Sequence, residues 1–243
     1  MTTPRRIAMW SGPRNISTAL MRAWENRPDT HVHDEPLYAH YLRQTGLPHP
    51  GAAEVIAAYP TDWREVVDQL TGPLPDDIGI YYQKHMTHHM LPNIGREWML
   101  KLTNCFLIRD PGQVIVSLAK VLGTPTIEQT GIPQQHELFT FVQTMTKESP
   151  PVIDSADVLV DPQGVLSKLC AAVDVPFDEA MLSWPPGPRE SDGNWAPYWY
   201  ASVEQSTGFM PPLAEPAPVP PELQPLVDAC MPLYDQMREH AIR

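Results

Sequence analysis

Two short segments of this chain pair a cation with hydroxyls in a way suited to holding an anion. The first is Trp10-Ser-Gly-Pro-Arg-Asn-Ile-Ser-Thr18. Gly12 permits a tight turn, and the free N–H groups of a helix beginning just after it would face a phosphate or sulfate. Arg14 adds a full charge with a fork suited to phosphate oxygens, and Ser17 and Thr18 add hydroxyls. A helix end alone contributes ~0.3–1 kcal/mol toward an anion, rising to about 2 when partly buried. Arg14 and the backbone therefore have to act together. The second segment is Leu107-Ile-Arg-Asp-Pro111, with Ser117 eight residues after Arg109. Two bland alternatives stand beside this reading: an ordinary helix start with a solvent-exposed Arg14, and an Arg109 that pairs with Asp110 or a nearby carboxylate.

These residues need elements that aim them at one place. Arg5 to Trp10 reads as a short buried strand, and Ile16, Ala19, Leu20, Ala23 and Trp24 follow at helical spacing. His31–His33 reads as a second strand ending at Asp34-Glu35-Pro36, with Asp34 the better helix cap of the two acids. Ile78–Gln83 reads as a third, and Trp98–Leu102 and Asn104–Ile108 as further strands. Helices are expected over Ala52–Ala58, Asp62–Leu70 and Gln134–Glu148. Asp110-Pro111 and Asp161-Pro162 each give an N-cap followed by proline at the first helical position. Val152–Asp154 is a short strand between them, and Glu222 opens a final helix. Residues 211–225 hold seven prolines and read as a surface-hugging loop. Strands alternating with helices imply an α/β fold with a central, mostly parallel sheet covered on both faces. The expectation is a single domain over residues 1–243. Ligands of such sheets bind beyond the C-terminal strand ends, which points at residues 11–18, 34–36, 84–89 and 109–117.

The bulk properties narrow the partners. A net charge of −12 over 243 residues disfavours DNA, RNA and heparin-like polymers, whose own charge the field repels. A small anion remains compatible if a few of the 17 Lys and Arg are concentrated locally. No stretch of about 18 apolar residues argues for a membrane span, and the basic start is followed by too short an apolar run for a signal peptide. Cys105, Cys170 and Cys230 lie far apart, an odd and sparse set that reads as reduced thiols in a cytosolic protein. From Gly12 there is no Gly-Lys-Ser/Thr, so the loop is not a Walker A sequence.

At these residues the chain resembles the sulfotransferases that use 3′-phosphoadenosine 5′-phosphosulfate. Gly-Pro-Arg-Asn-Ile-Ser-Thr (12–18) is similar to that family's first phosphosulfate loop, a P-loop-like element. Arg14 falls on its basic position, and Ser17 and Thr18 on its two hydroxyls. Arg109 and Ser117 match the pair that holds the donor's 3′-phosphate. Ser155 to Pro162 with Leu166, Leu169 and Val175-Pro-Phe177 resembles a later family stretch. Arg189, Gly193 and Trp195 resemble a relaxed form of the final nucleotide loop. The resemblance thus implies donor contacts from Gly12, Pro13, Arg14, Asn15, Ile16, Ser17, Thr18, Arg109, Ser117, Arg189, Gly193 and Trp195. There are departures: Ile16 replaces a loop glycine and must avoid positive φ, Ala19 stands where many members carry tryptophan, and Glu190 replaces a lysine.

The resemblance also implies sulfuryl transfer to a small-molecule hydroxyl or amine, with no metal. Glu35 resembles the base that follows the second strand in trehalose and tyrosylprotein sulfotransferases. His85 resembles the histidine base of many cytosolic members, and an imidazole near neutral pKa suits that task. The favoured set is Glu35 as base, His85 and Lys84 on the acceptor side, and Arg14 on the transferring group. His85, His88 and His89, with His31 and His33, read as a solvated or packed cluster, since no cysteine ligand lies near. Trp195 to Tyr200 could cover the nucleotide, line the acceptor pocket or simply pack. Two further readings remain, an ATP-dependent phosphotransferase and a nucleotide-binding domain without turnover. The aromatic C-terminal third could support a homodimer.

Overall fold

The computed structural model describes residues 4–75, 77–211 and 217–243. In chain order, β1 (Arg5–Ser11) leads to α1 (Ser17–Glu25), and β2 (Thr30–Asp34) to α2 (Tyr38–Thr45), α3 (Ala52–Ala58) and α4 (Trp63–Thr71). Then come β3 (Ile80–Met86), β4 (Thr103–Ile108), α5 (Pro111–Leu122), α6 (Ile127–Thr130) and α7 (Ile132–Thr146). The rest comprises β5 (Val152–Asp154), α8 (Ser155–Val160), α9 (Pro162–Ala172), α10 (Ala196–Trp199), α11 (Ala201–Glu204) and α12 (Gln224–Arg238).

The strands form one five-stranded sheet in the order β2-β3-β1-β4-β5, and every pairing is parallel. Both faces are covered, so β1 reads as a continuous apolar run rather than an alternating one. Ile7 and Met9 enter a core with Leu20 and Trp24 of α1 and Leu166 and Leu169 of α9. Ala8 and Trp10 enter the opposite core with Val66 and Leu70 of α4 and Leu138 and Phe139 of α7. Aspartates start several helices: Asp110 accepts from Gln113 N–H and Asp161 from Gly164 N–H, both 2.9 Å, each ahead of a proline. Cys105, Cys170 and Cys230 are free and buried. No helix among the described residues is long and apolar enough to cross a membrane.

Three expectations change. Trp98–Leu102 is not a strand: Glu97–Lys101 is a 3-10 turn whose Trp98 indole donates to Gly95 C=O at 2.8 Å. An apolar run that short has no decisive period. The third strand runs on to Met86, so Lys84 and His85 lie inside it rather than after it. Asp34 caps no helix, because the cap position of α2 is Leu37 and no side chain bonds there. Of the proline-rich segment, residues 212–216 lie outside the described residues. Its later part forms a 3-10 turn at Pro221–Leu223 that runs into α12.

Candidate functional site

The C-terminal ends of β1, β2, β3 and β4 open into a cavity of about 790 Å³. On its β1–β4 side lies the loop between β1 and α1. Pro13, Arg14, Asn15, Ile16, Ser17 and Thr18 all line the cavity, whereas Gly12 is not on its wall. Ile16 has φ −86°, avoiding the left-handed region, and no side chain caps α1. The first N–H groups of that helix are thus open toward the cavity. The unusual backbone falls instead on Arg14, at φ 57°. Asn15 Nδ2 donates to Leu107 C=O at 3.1 Å, and Gln135 Nε2 to the carbonyls of Trp10 and Leu107 at 3.0 and 2.9 Å. These bonds tie the loop to the ends of β1 and β4.

Arg14 Nε donates to Ser117 Oγ at 2.9 Å, and Arg109 donates through Nη1 to the Arg14 carbonyl and through Nη2 to Gln113 Oε1. Two guanidinium groups and a hydroxyl therefore converge from β1–α1, the end of β4 and α5. Among the described residues neither arginine forms an ion pair. Burial and then the nearby Arg14 charge push the Arg109 pKa down. Asp110 and Asp154 offset part of this charge without pairing with it, and two arginines held free of ion pairs at a cavity wall make a site for a polyvalent anion. Asp110 does not satisfy Arg109; it caps α5.

On the β2–β3 side lies a buried ion cluster. Lys84 Nζ donates to Asp34 Oδ1 at 2.8 Å, Glu35 Oε1 at 2.6 Å and the Tyr200 hydroxyl at 2.6 Å, which uses all three ammonium protons. Tyr200 in turn donates to Asp34 Oδ2 at 2.6 Å and accepts from the Trp195 indole at 3.0 Å. Lys84 is 1% exposed and Glu35 12%. Burial opposes the Lys84 charge, but Asp34 and Glu35 outweigh it and hold the ammonium on. Burial raises the Glu35 pKa, while Lys84 pulls it back. The contacts of Lys84 and Tyr200 both fall on Glu35 Oε1, leaving Oε2 to the cavity. Glu35 also has φ 41°. Of the four described non-glycine residues at positive φ, Lys147 and Asp174 follow helix ends, whereas Arg14 and Glu35 sit in this cavity. Such backbone costs about 1–3 kcal/mol and concentrates at working sites.

Sequence reasoning located most of these groups but not all. His85 does not reach the cavity: successive strand side chains alternate faces, so Lys84 points with Tyr82 while His85 points with Tyr81. There it stacks on Trp10 at 4.2 Å and pairs with Gln83 Oε1 at 3.1 Å. Burial drives its pKa down to about 3. Arg189, Gly193 and Trp195 are also absent from the cavity wall. Arg189 donates to Pro185 C=O, Gly193 N–H approaches Asp34 Oδ2, and Trp195 is buried behind Tyr200. From the aromatic run it is Trp199 and Tyr200 that line the cavity, and the role of Tyr200 had no sequence signal beyond its place in that run. Gln113, Tyr38, Tyr41 and His49 were missed, being ordinary helix or loop residues in sequence. His88 and His89 pack against Tyr41, and no cluster of three metal-ligating side chains occurs among the described residues.

Comparisons with known proteins give the family and the fold. The family model described as "Sulfotransferase domain" matches residues 5–241. Two Arabidopsis thaliana proteins, Branched-chain-amino-acid aminotransferase-like protein 1 and 2, are 35% and 33% identical over 99% and 96% of this chain. The chain spans only 43% and 41% of their lengths, so their names describe proteins more than twice as long. Among solved structures, a sulfotransferase from Alicyclobacillus acidocaldarius superposes with TM-score 0.55 at 11% identity, covering 98% of this chain and 96% of that one. The sulfotransferase domain of the Synechococcus PCC 7002 olefin synthase gives 0.53 at 16%, covering 94% and 95%. The sulfotransferase domain from the curacin biosynthetic pathway gives 0.52 at 18%, covering 95% and 99%. At such identities the likeness is one of fold.

Proposed function

We propose, from the premise that this chain belongs to the sulfotransferase domain family, that it moves a sulfuryl group from 3′-phosphoadenosine 5′-phosphosulfate to a hydroxyl or amine of a small molecule. The observation that carries this reading is the meeting of Arg14, Arg109 and Ser117 at one rim of the sheet, in the same cavity as Glu35 and Lys84. The donor brings two phosphate positions and an activated S–O bond. The residues present fit it: two arginines without carboxylate partners, a hydroxyl and an uncapped helix start supply the countercharge and N–H groups. In this reading the chain acts as one sulfotransferase-like domain.

Arg109 and Ser117 hold the 3′-phosphate, and Arg14 with the loop of residues 12–18 holds the 5′-phosphosulfate. Glu35 accepts the acceptor's proton through Oε2 while its oxygen or nitrogen bonds to sulfur. Lys84 keeps Glu35 oriented through Oε1. Arg14 is the cation best placed by the loop to offset charge that builds on the leaving phosphate. Arg189, Gly193 and Trp195 have no part in donor binding, and His85 is not the base.

Ligand-linked stability tests this directly. At about 100 times its Kd, a ligand adds ~2.7 kcal/mol. For a chain of this size that is a rise in Tm of roughly 5–10 °C. We expect 3′-phosphoadenosine 5′-phosphate to give such a rise, and ATP with Mg²⁺ to give little. The reverse order would replace this reading with a phosphotransferase. Nucleotide binding without sulfate transfer to any acceptor tried would leave a binding domain.

A further inference from the structure

Beyond Glu35 the cavity wall is made of rings. Tyr38 and Tyr41 come from α2, His49 from the loop after it, His88 and His89 from the turn after β3, and Trp199 from α10. His89 stacks on Tyr38 at 4.9 Å and 8°, and on Tyr41 at 4.7 Å and 29°. His88 meets His89 at 4.4 Å. The Tyr38 hydroxyl is already engaged by His49 Nδ1 at 2.8 Å. The other two imidazoles are not. His89 is 2% exposed, and the Nδ1 atoms of both His88 and His89 are buried without a partner among the described residues. Buried polar atoms are nearly always paired, and an unpaired one calls for a reason.

The wall is also uncharged. Burial holds His88 down to about 3 and His89 well below the usual histidine value. Lys84 has no proton to spare, and its two carboxylate partners leave the trio with a net negative charge, so an anionic acceptor finds no cation here. A cationic acceptor would meet the same burial that keeps these imidazoles neutral. What remains is a flat apolar surface with imidazole nitrogens set into it.

We propose that this wall is the acceptor subsite, and that His88 and His89 select an uncharged, ring-bearing acceptor with a second hydrogen-bonding group besides the hydroxyl that faces Glu35. The inference rests on the sulfotransferase reading above for the fate of that hydroxyl. Its O–H bond breaks and the proton goes to Glu35. Its oxygen bonds to sulfur, and the S–O bond to the donor's phosphate breaks with the electron pair leaving on 3′-phosphoadenosine 5′-phosphate. His88 and His89 hold the second polar group and so fix which hydroxyl is presented.

The test is binding of a matched series to the whole protein, followed by ligand-observed NMR with and without 3′-phosphoadenosine 5′-phosphate. The series is phenol, resorcinol, 3-hydroxybenzoate and 3-hydroxybenzylamine. Resorcinol should bind about tenfold more tightly than phenol, as expected for one added hydrogen bond to a buried partner, and both charged compounds more weakly than phenol. His89→Phe keeps the stacked ring and should bring resorcinol down to the level of phenol, with nucleotide affinity unchanged. His88→Phe gives the same readout should the first variant fold poorly. Equal binding of phenol and resorcinol, preference for either charged compound, or a resorcinol preference that survives in both variants would each overturn the proposal. If the series keeps the expected order while the nucleotide fails to bind, the donor reading falls and the acceptor wall stands. Nucleotide binding without the order does the opposite.

Discussion

Lys84 and His85 are neighbours in sequence and opposite in environment, because one faces the ion cluster and the other the Trp10 core. The two candidate bases, Glu35 beside Lys84 and His85 in that core, are thereby separated by geometry and can be told apart by experiment. Glu35→Gln should lower kcat by about 10²–10⁴-fold, the range positioned proton transfer supplies, with the affinity for 3′-phosphoadenosine 5′-phosphate within about twofold. Its carboxyl, raised by burial, must be ionised to act. The acid limb of kcat should therefore lie above the ordinary carboxylate range and vanish in the variant. His85→Asn should instead lower stability by about 1–3 kcal/mol, as for other buried polar contacts, and change kcat little. A tenfold kcat loss in His85→Asn alone would reverse the assignment. Arg109 gives a different signature. Charged hydrogen bonds contribute ~1.5–3 kcal/mol, so Arg109→Ala should weaken nucleotide binding by roughly tenfold to a hundredfold. Because it also removes a cation that crowds Arg14, the ligand-free Tm should move by no more than about 2 °C, measured by calorimetry.

The β1–α1 loop owes its shape to an element far away in sequence. Gly131, between α6 and α7, has φ 70°, and a Cβ built on it would lie 2.7 Å from Thr87 Oγ1 and 3.2 Å from Pro13 Cδ. Gly46, after α2, has a similar φ of 64° with nothing within 4 Å. Alanine at Gly46 should cost only the left-handed backbone, about 1–2 kcal/mol. Gly131→Ala should cost more and also weaken nucleotide binding, since Pro13 has to shift; equal losses at the two sites in denaturant titrations, with unchanged affinity, would uncouple Gly131 from the loop. Nothing in the local sequence marks Gly131 as part of an anion site, whereas Gly12 to Thr18 were legible from strand, turn and helix signals alone. The same contrast holds elsewhere. Asp110-Pro111 and Asp161-Pro162 announce their helices because capping is a local event. The end of β3 was hidden because Lys84 and His85, following Gln83, read as a polar segment beyond the strand. They are tolerated in a buried strand only through distant partners: Gln83 donates to Leu70 C=O at 3.1 Å, and Lys84 finds Asp34, Glu35 and Tyr200. The Arg189–Trp195 segment misled for the converse reason. Its residue types suited a nucleotide loop, but Asp192 is drawn to Arg22 at 2.7 Å and the Trp195 indole to Tyr200, which turns the segment toward the sheet and away from the cavity.

The molecule as a whole buries three histidines that burial keeps neutral. His85 and His88 are pushed down to about 3, and His89 well below its usual value, by burial first. In the unfolded chain each titrates near ~6.5. Between that value and the folded pKa the unfolded state binds more protons, so stability rises with pH there. It is fully present above about 6.5 and drains away as the pH falls. Two groups act in the other sense, since burial raises Glu35 and Asp154 and favours their protonated forms in the folded state. The formal charge of −12 also diminishes on acidification, which relieves self-repulsion. The charge effect belongs mainly to the carboxylate range, below about pH 5, and the raised carboxyls oppose the histidines from there upward. The three buried imidazoles outnumber those two groups, so between about pH 7 and 5 the histidines should decide the outcome. Urea midpoints should fall across that interval, with m unchanged. His88→Phe should flatten the slope, because one proton-binding group is lost from the unfolded state only. A midpoint that holds steady or rises over the same acidification would mean that these imidazoles are solvated or charged in the folded protein. An uncharged acceptor wall and acid lability thus share a requirement, since both need protons kept from His88 and His89, while His85 adds to the acid lability from the Trp10 core.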